Sequence, residues 1–123
     1  MTVLLDSSAW IELLGGTNRA DSFEPALRAE RLIVPAIVRY EVGRYVLANS
    51  GEVAREMAIR AMAKFEQVAV DAAVADAASL LAAKHKMAMA DALIYAVARA
   101  QEAELWSQDS HFENLPGVRF FKK

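Results

Sequence analysis

The sequence predicts an α/β fold in which a central, mainly parallel sheet of four to five strands is covered by helices on both faces. Short runs typical of strands alternate with longer stretches typical of helices, an order that favours a parallel sheet. Most of the strand runs are apolar throughout rather than alternately polar, as expected for strands buried on both faces. A chain of 123 residues is one domain's worth of protein, so we assign residues 1–123 to a single domain.

The first half of the chain predicts two strands and three helices. Serine and aspartate precede the first helix as start signals, Gly15 and Gly16 follow its end, and Pro35 suits the first turn of the next helix. A period of 3.6 residues marks the third helix, which has an apolar stripe opposite a charged one. The predicted elements are a strand at Thr2–Leu5, a helix at Ala9–Leu14, a strand at Arg31–Val34, and helices at Ala36–Asn49 and Glu52–Glu66.

The second half continues the alternation with three more strands. Asp71 is a candidate cap for the helix that follows the first of them, because aspartate at that position accepts from free backbone N–H groups. The predicted elements are strands at Val68–Val70, Leu105–Ser107 and Val118–Phe121, a helix from Asp71 to about Lys86, and a helix at Met89–Gln101.

Composition excludes several classes of protein. The absence of cysteine excludes disulfide scaffolds, thiol catalysis and thiolate zinc sites, and two histidines are too few for an imidazole-rich zinc site. The formal net charge of −2 excludes a strongly basic protein. The first residues lack the charged and apolar regions of a signal peptide, and no apolar run is long enough to cross a membrane. We therefore expect a cytoplasmic protein without membrane contact.

Four acidic residues stand at or near the places where function is expected. In open α/β sheets, ligands bind beyond the carboxyl ends of the strands. Asp6 and Asp109 follow strands, Glu41 lies two turns into the helix after Pro35, and Asp91 is the lone charge in an apolar stretch. Each acid alone also has an ordinary interpretation: Asp6 as a helix cap, Asp91 as a complement to a helix dipole, Glu41 as a partner of a nearby arginine, and Asp109 as a turn residue.

Four segments taken in order resemble the PIN-domain nucleases, and more closely the toxins of the VapC type. The segments are Val3–Trp10, Pro35–Val42, Met89–Ala96 and Trp106–Phe112, and the resemblance covers essentially the whole chain. The resemblance implies a PIN-like three-layer α/β/α sandwich. Two positions depart from the family pattern: Ser107 stands where threonine is more common, and His111 stands where many members carry a further acid.

The resemblance also implies a function. The protein is expected to be a Mg²⁺-dependent endoribonuclease, with Mn²⁺ as a substitute, that acts as the toxin of a toxin–antitoxin module. Converging carboxylates suit this reaction because a hard divalent cation relieves their mutual repulsion and admits a phosphodiester. The expected partners are RNA, a cognate antitoxin and a second copy of the chain. The expected site comprises Asp6, Glu41, Asp91 and Asp109 as catalytic residues, of which Asp6, Asp91 and Asp109 bind metal, with Ser7 and Ser107 in support and Arg39, Arg44 and His111 toward substrate.

Other classes of function remain alternatives. A PIN fold that binds RNA or protein with weak or no catalysis would keep the architecture without the reaction. A phospho-acceptor signalling domain would need an acidic pair after the first strand, whereas Asp6 has no acidic neighbour. A phosphatase of the haloacid dehalogenase type would need Asp-x-Asp there, and Ser8 fills the second position.

Overall fold

The computed structural model describes residues 1–123 and contains one sheet of five parallel strands. The strand order across the sheet is β3-β2-β1-β4-β5, so the first strand lies at the centre. A parallel sheet with helices between consecutive strands confirms the predicted α/β sandwich. The strands are β1 (Thr2–Leu5), β2 (Arg31–Pro35), β3 (Glu66–Val68), β4 (Glu104–Ser107) and β5 (Val118–Phe120).

Five α-helices connect and cover these strands. Two short 3₁₀ helices, Glu24–Arg28 and Ser110–Phe112, complete the regular structure. None of the helices is both long and apolar enough to cross a membrane. The α-helices are α1 (Ser7–Gly15), α2 (Ala20–Phe23), α3 (Ala36–Met62), α4 (Ala72–His85) and α5 (Met89–Ala100).

The three central strands carry the core. Leu4 of β1 is in register with Ile33 of β2 and Leu105 of β4, and all three side chains are fully buried. Burial on both faces explains why these strands are apolar throughout. The register also aligns Leu5 with Trp106, so the residues after β1 and the end of β4 meet at the same edge of the sheet.

The third strand differs from its prediction. It runs from Glu66 to Val68 rather than from Val68 to Val70, and two of its three residues are exposed. A strand at the edge of a sheet pairs on one side only and packs fewer side chains, so an apolar run did not mark it. The preceding helix accordingly ends at Met62 instead of Glu66.

The helices show two further differences. The predicted helices at Ala36–Asn49 and Glu52–Glu66 are the two halves of α3, separated by a break at Gly51, whose φ of 90° favours glycine. The sequence did not predict helix α2 or the 3₁₀ helix after it, because these short helices lack an apolar period. Each has one buried residue, Phe23 in α2 and Ala26 in the 3₁₀ helix. Asp71 caps α4 by accepting from the Val74 N–H at 3.0 Å, as expected.

Candidate active site

Asp6 begins the site at the end of β1, where its carboxylate is only 2% exposed. One oxygen accepts from the backbone N–H of Ala9 at 2.9 Å, which makes Asp6 the cap of α1. The hydroxyl of Ser8 donates to both carboxylate oxygens at 2.9 and 3.0 Å, and the hydroxyl of Ser107 donates to Oδ2. The capping role proposed from the sequence is therefore present, together with more donors than a cap requires.

These donors do not fully offset the burial of Asp6. Burial raises the pKa of its carboxyl from 3.8 to about 6, against the lowering effect of the hydrogen bonds from Ser107, Ala9 and Ser8, while nearby Asp109 raises it further. Desolvation of this size is a feature of functional acids as well as of strained structural ones. Asp6 is thus a costly residue for the fold at neutral pH.

Asp91, Asp109 and His111 form the second part of the site. One ligand atom from each lies within 4.8 Å of the others. His111 Nδ1 is 3.2 Å from Asp91 Oδ2 and 3.4 Å from Asp109 Oδ1, and the backbone N–H of His111 donates to Asp109 Oδ1 at 3.0 Å. Burial first, and then the charge of Asp109, raise the pKa of the Asp91 carboxyl, while His111 lowers it in part.

Ser107 joins the two parts. Its hydroxyl donates to Asp6 and accepts the backbone N–H of Asp109 at 2.9 Å, and its side chain is fully buried at the end of β4. A single hydroxyl therefore fixes the distance between the buried acid and the turn that carries Asp109. The supporting role of Ser107 in the reaction stays a prediction.

Glu41 lies on α3, the helix that follows β2, and β2 and β4 flank β1 on opposite sides. The Ser7 hydroxyl donates to Glu41 Oε1 at 2.6 Å, and the supporting role of Ser7 stays a prediction. Glu41 is not a member of the three-residue cluster. It forms no ion pair with Arg39 or Arg44, and Arg39 instead donates to Gln67 Oε1 at 3.0 Å.

Arg39 and Arg44 line a cleft of α3 that also contains Arg55 and Tyr40, and no residue of the cluster lines it. This cleft forms because the second half of α3 packs back against the first, with Ile59 and Arg55 close to Gly43. The cluster itself is not a fully acidic site, since His111 completes it. The structure therefore brings Asp91, Asp109 and His111 directly together and joins Asp6 to them through Ser107.

Sequence reasoning missed a polar network that supports the turn after β4. Gln108, only 6% exposed, donates to Glu12 Oε2 at 3.1 Å and accepts from Arg19 Nε at 2.5 Å. The only sequence signal for it is the position of Gln108 between two site residues. Neither Glu12 nor Arg19 lies in a motif, because their partners are about ninety residues away along the chain.

The donor set fits a hard divalent cation. Two carboxylates and one imidazole converge, and the pKa of the Asp91 carboxyl is raised partly because the charge of Asp109 is close to it. Carboxylate oxygens are the ligands that Mg²⁺ prefers, and Mn²⁺ also accepts imidazole. The fold and the site together define an α/β domain with an acidic, metal-compatible centre at the carboxyl ends of its parallel strands.

Comparison with known proteins identifies the class. The family model of the PIN domain matches residues 3–118. This match covers nearly the whole chain, and the chain therefore belongs to the PIN domain family. The resemblance predicted from the four segments is confirmed. A search among curated protein sequences finds no match.

Solved structures with a similar fold agree with this assignment. The chain is similar to a chain of a toxin–antitoxin complex from Klebsiella pneumoniae, with TM-score 0.79, 23% identity and 95% of each chain covered. It is similar to VapC20 of Mycobacterium tuberculosis, a sarcin–ricin loop cleaving toxin, with TM-score 0.76, 19% identity, and 89% and 92% of the two chains covered. It is also similar to VapBC2 of Rickettsia felis bound to promoter DNA, with TM-score 0.79, 16% identity, and 99% and 100% covered.

Proposed function

We propose that this PIN domain is a metal-dependent endoribonuclease that hydrolyses phosphodiester bonds in RNA as the toxin of a toxin–antitoxin module. The observation that carries the proposal is the convergence of Asp91, Asp109 and His111, with ligand atoms within 4.8 Å, beside buried Asp6. The fold shared with toxins of the VapC type supports it.

Asp91 and Asp109 are the residues that would hold the ion, with Asp6 behind them and His111 at the open side. A bound Mg²⁺ or Mn²⁺ would neutralise the carboxylates, allow the phosphate to approach and make water a better nucleophile. The remaining work falls to the chain itself. Ser107 fixes Asp109 relative to Asp6, and Ser7 orients Glu41 toward the end of β1.

His111 and the arginines are proposed to face the substrate. The imidazole of His111 is 71% exposed while it contacts both carboxylates, so it borders both solvent and the acidic centre. Arg44 and Arg55 make no ion pair with a carboxylate, and their cleft also holds Tyr40, which is 60% exposed. Guanidinium groups beside an exposed aromatic ring suit phosphates and unstacked bases of single-stranded RNA.

A cognate antitoxin and a second copy of the chain are the proposed protein partners. An apolar cleft between α1 and α3 contains Ile11, Leu14 and Val46, together with the exposed side chains of Tyr45 and Met57. Apolar surface of this kind is typical of protein interfaces. Trp10 and Met62 are buried in the core and do not contribute to this surface.

Cleavage of RNA by the purified protein tests the enzymatic part. We expect a labelled RNA pool to be cut in the presence of Mg²⁺ or Mn²⁺ and left intact in EDTA, with cleavage restored when metal is returned. Metal titration by calorimetry, done in parallel, separates an enzyme from a binding module. A protein that binds RNA, binds no divalent ion and never cleaves would contradict the proposal and favour the binding module.

A further inference from the structure

A polar cleft borders the acidic centre on the side of β5. Its lining has a single apolar residue, and Asp109 belongs both to this cleft and to the acidic cluster. The cleft therefore opens directly beside the proposed reaction centre. The residues that line it are Ser8, Gln108, Asp109, Ser110, Phe120, Lys122 and Lys123.

The two lysines reach the cleft because the segment after β5 is firmly anchored. The Phe121 N–H donates to the Ser107 carbonyl at 2.8 Å, which extends the pairing of β5 with β4 by one residue. The Phe121 ring packs on Phe23 and Trp106, with ring centroids 4.8 and 5.4 Å apart. The path of the backbone toward Lys122 is thus set by a hydrogen bond and by aromatic packing.

Arg19 holds the same segment from the opposite side. Its Nη2 donates to the carbonyls of Phe121 at 3.1 Å and of Lys122 at 3.5 Å, while its Nε donates to Gln108. Its nearest carboxylate, Glu12, lies 3.6 Å away. The guanidinium of Arg19 is therefore used within the protein and positions the lysines rather than binding a ligand itself.

The charges of Lys122 and Lys123 are left uncompensated. Neither lysine forms an ion pair, and both are exposed. The nearby Arg119, by contrast, is stacked on Trp106 with its guanidinium carbon 4.5 Å from the ring centroid. Two free ammonium groups therefore line the same polar cleft as Asp109, beside the carboxylates that would hold a metal.

We propose that this cleft is a phosphate subsite, in which Lys122 and Lys123 bind a backbone phosphate of single-stranded RNA next to the one at the acidic centre. The inference rests on the proposed function, because it assumes that RNA is the ligand of the acidic centre. Phosphates flanking the scissile one carry charge that a binding surface neutralises, which releases counterions and makes binding depend on salt. Ser110 adds a hydroxyl group to the same lining.

Binding of a fluorescein-labelled single-stranded RNA to the full chain tests the subsite without requiring cleavage. The background is Asp91→Asn, measured by anisotropy with Mg²⁺ over a series of KCl concentrations. The double variant Lys122→Ala/Lys123→Ala should bind about tenfold more weakly near 0.1 M salt, and the slope of log K against log[salt] should fall by about 0.7 for each phosphate that the variant no longer neutralises.

Two further variants make the result specific. Lys122→Arg/Lys123→Arg should keep both affinity and slope, because it keeps the charge. Arg60→Ala/Lys64→Ala removes two exposed charges, one in the last turn of α3 and one between α3 and the edge strand β3, and should change the slope little. An affinity and slope unchanged in the double alanine variant, or equal losses in the Arg60/Lys64 pair, would overturn the subsite.

The outcomes also separate the two proposals. Wild-type cleavage of RNA with no effect of the lysines would overturn the subsite and leave the nuclease. A lysine-dependent salt slope in a chain that cleaves no RNA would support the subsite and contradict the nuclease.

Discussion

The two parts of the acidic centre differ in how they are stabilised. Asp6 is 2% exposed and accepts from two serine hydroxyls and one backbone N–H. The Asp91 and Asp109 side chains are 18% and 35% exposed, and the side-chain group nearest to both is the imidazole of His111, itself 71% exposed. One carboxylate is enclosed by donors, and the other two face an opening.

This difference predicts that the buried acid and the two partly exposed acids contribute to the centre in different ways. Both carboxylate oxygens of Asp6 accept hydrogen bonds from groups of the protein. These bonds fix the end of β1 and the start of α1, and neither oxygen is left without a partner. Asp91 and Asp109 keep carboxylate oxygens that an ion can reach. The centre thus combines one buried carboxylate that accepts from several donors with two partly exposed carboxylates, which form its accessible rim.

The largest expected effect comes from the rim. Asp91→Asn removes a charge from the cluster with almost no change in shape, so RNA cleavage should fall by several orders of magnitude if catalysis depends on the bound ion. Cleavage rates with saturating Mg²⁺ measure the loss. The fold should stay intact, as checked by circular dichroism and by the melting temperature.

Asp76→Asn is the matched control for this change. Asp76 lies exposed on α4, forms no ion pair, and should tolerate the same substitution with unchanged cleavage. Equal activity of the Asp91 and Asp76 variants would remove the cluster from the reaction.

Asp6→Asn should lower cleavage while raising stability. Asparagine keeps an oxygen for the Ala9 N–H but carries no charge to desolvate. The rise of the Asp6 pKa from 3.8 to about 6 corresponds to about 3 kcal/mol of unfolding free energy, which is an upper value for the gain above pH 6. Urea unfolding of both proteins at pH 7.5 measures the gain.

The sign of this effect depends on pH. A carboxyl whose pKa is raised in the folded state has its full stabilising contribution below about pH 3.8 and loses it as the pH rises through about 6. The difference between wild type and Asp6→Asn should therefore be absent near pH 3.5, grow between pH 4 and 6, and stay level above. A wild type that is more stable than the variant at pH 7.5 would show that the donors outweigh burial.

Removing the hydroxyl of Ser107 or of Ser7 compares how much each serine stabilises the acid to which it donates, Asp6 or Glu41. Ser107→Ala removes a donor to buried Asp6 and the acceptor of the Asp109 N–H, so we expect a loss of about 1–3 kcal/mol in unfolding free energy and a further rise of the Asp6 pKa. Ser7→Ala removes one bond to half-buried Glu41 and should cost about 0.5–1.5 kcal/mol. Equal costs in chemical denaturation would mean that burial does not distinguish them.

The sequence predicted best what is local or buried on both sides. The strand at Thr2–Leu5 was identified with its observed bounds because a short apolar run that ends at a helix-start signal is typical of a buried strand. The caps at Asp6 and Asp71 follow from side chains that act within three residues. The edge strand at Glu66–Val68 could not be identified in the same way, since its exposed residues carry no apolar pattern.

The sequence grouped the acids into one predicted site, but it did not indicate which acid is buried and which are partly exposed. Acids that follow parallel strands meet at one edge of the sheet, which brought Asp6 and Asp109 into one prediction, and Asp91 joined them as the lone charge in an apolar stretch. Which of them would be enclosed depends on Ser107, whose partner Asp6 is 101 residues away along the chain. The contacts of Arg19 with Gln108 and with the segment after β5 span 89 and 102 residues and leave no pattern in the sequence.

Substitution of His111 has the smallest expected effect on cleavage, and it tests whether the open side of the centre includes this residue besides Asp91 and Asp109. His111→Asp would place a third carboxylate beside Asp91 and Asp109, 3.2 and 3.4 Å from the present imidazole nitrogen. Hard Mg²⁺ gains more from an added oxygen than Mn²⁺ does, because Mn²⁺ already accepts the nitrogen ligand. Wild-type cleavage should be faster with Mn²⁺ than with Mg²⁺ at equal concentration, and His111→Asp should lower the ratio of the Mn²⁺ rate to the Mg²⁺ rate by a few fold.

His111→Asn, which adds an oxygen without a charge, is the control and should lower this ratio less. If His111→Asp leaves the ratio of Mn²⁺ to Mg²⁺ activity unchanged, the side chain at 111 does not take part in holding the ion, and the open side of the centre is formed by Asp91 and Asp109 alone.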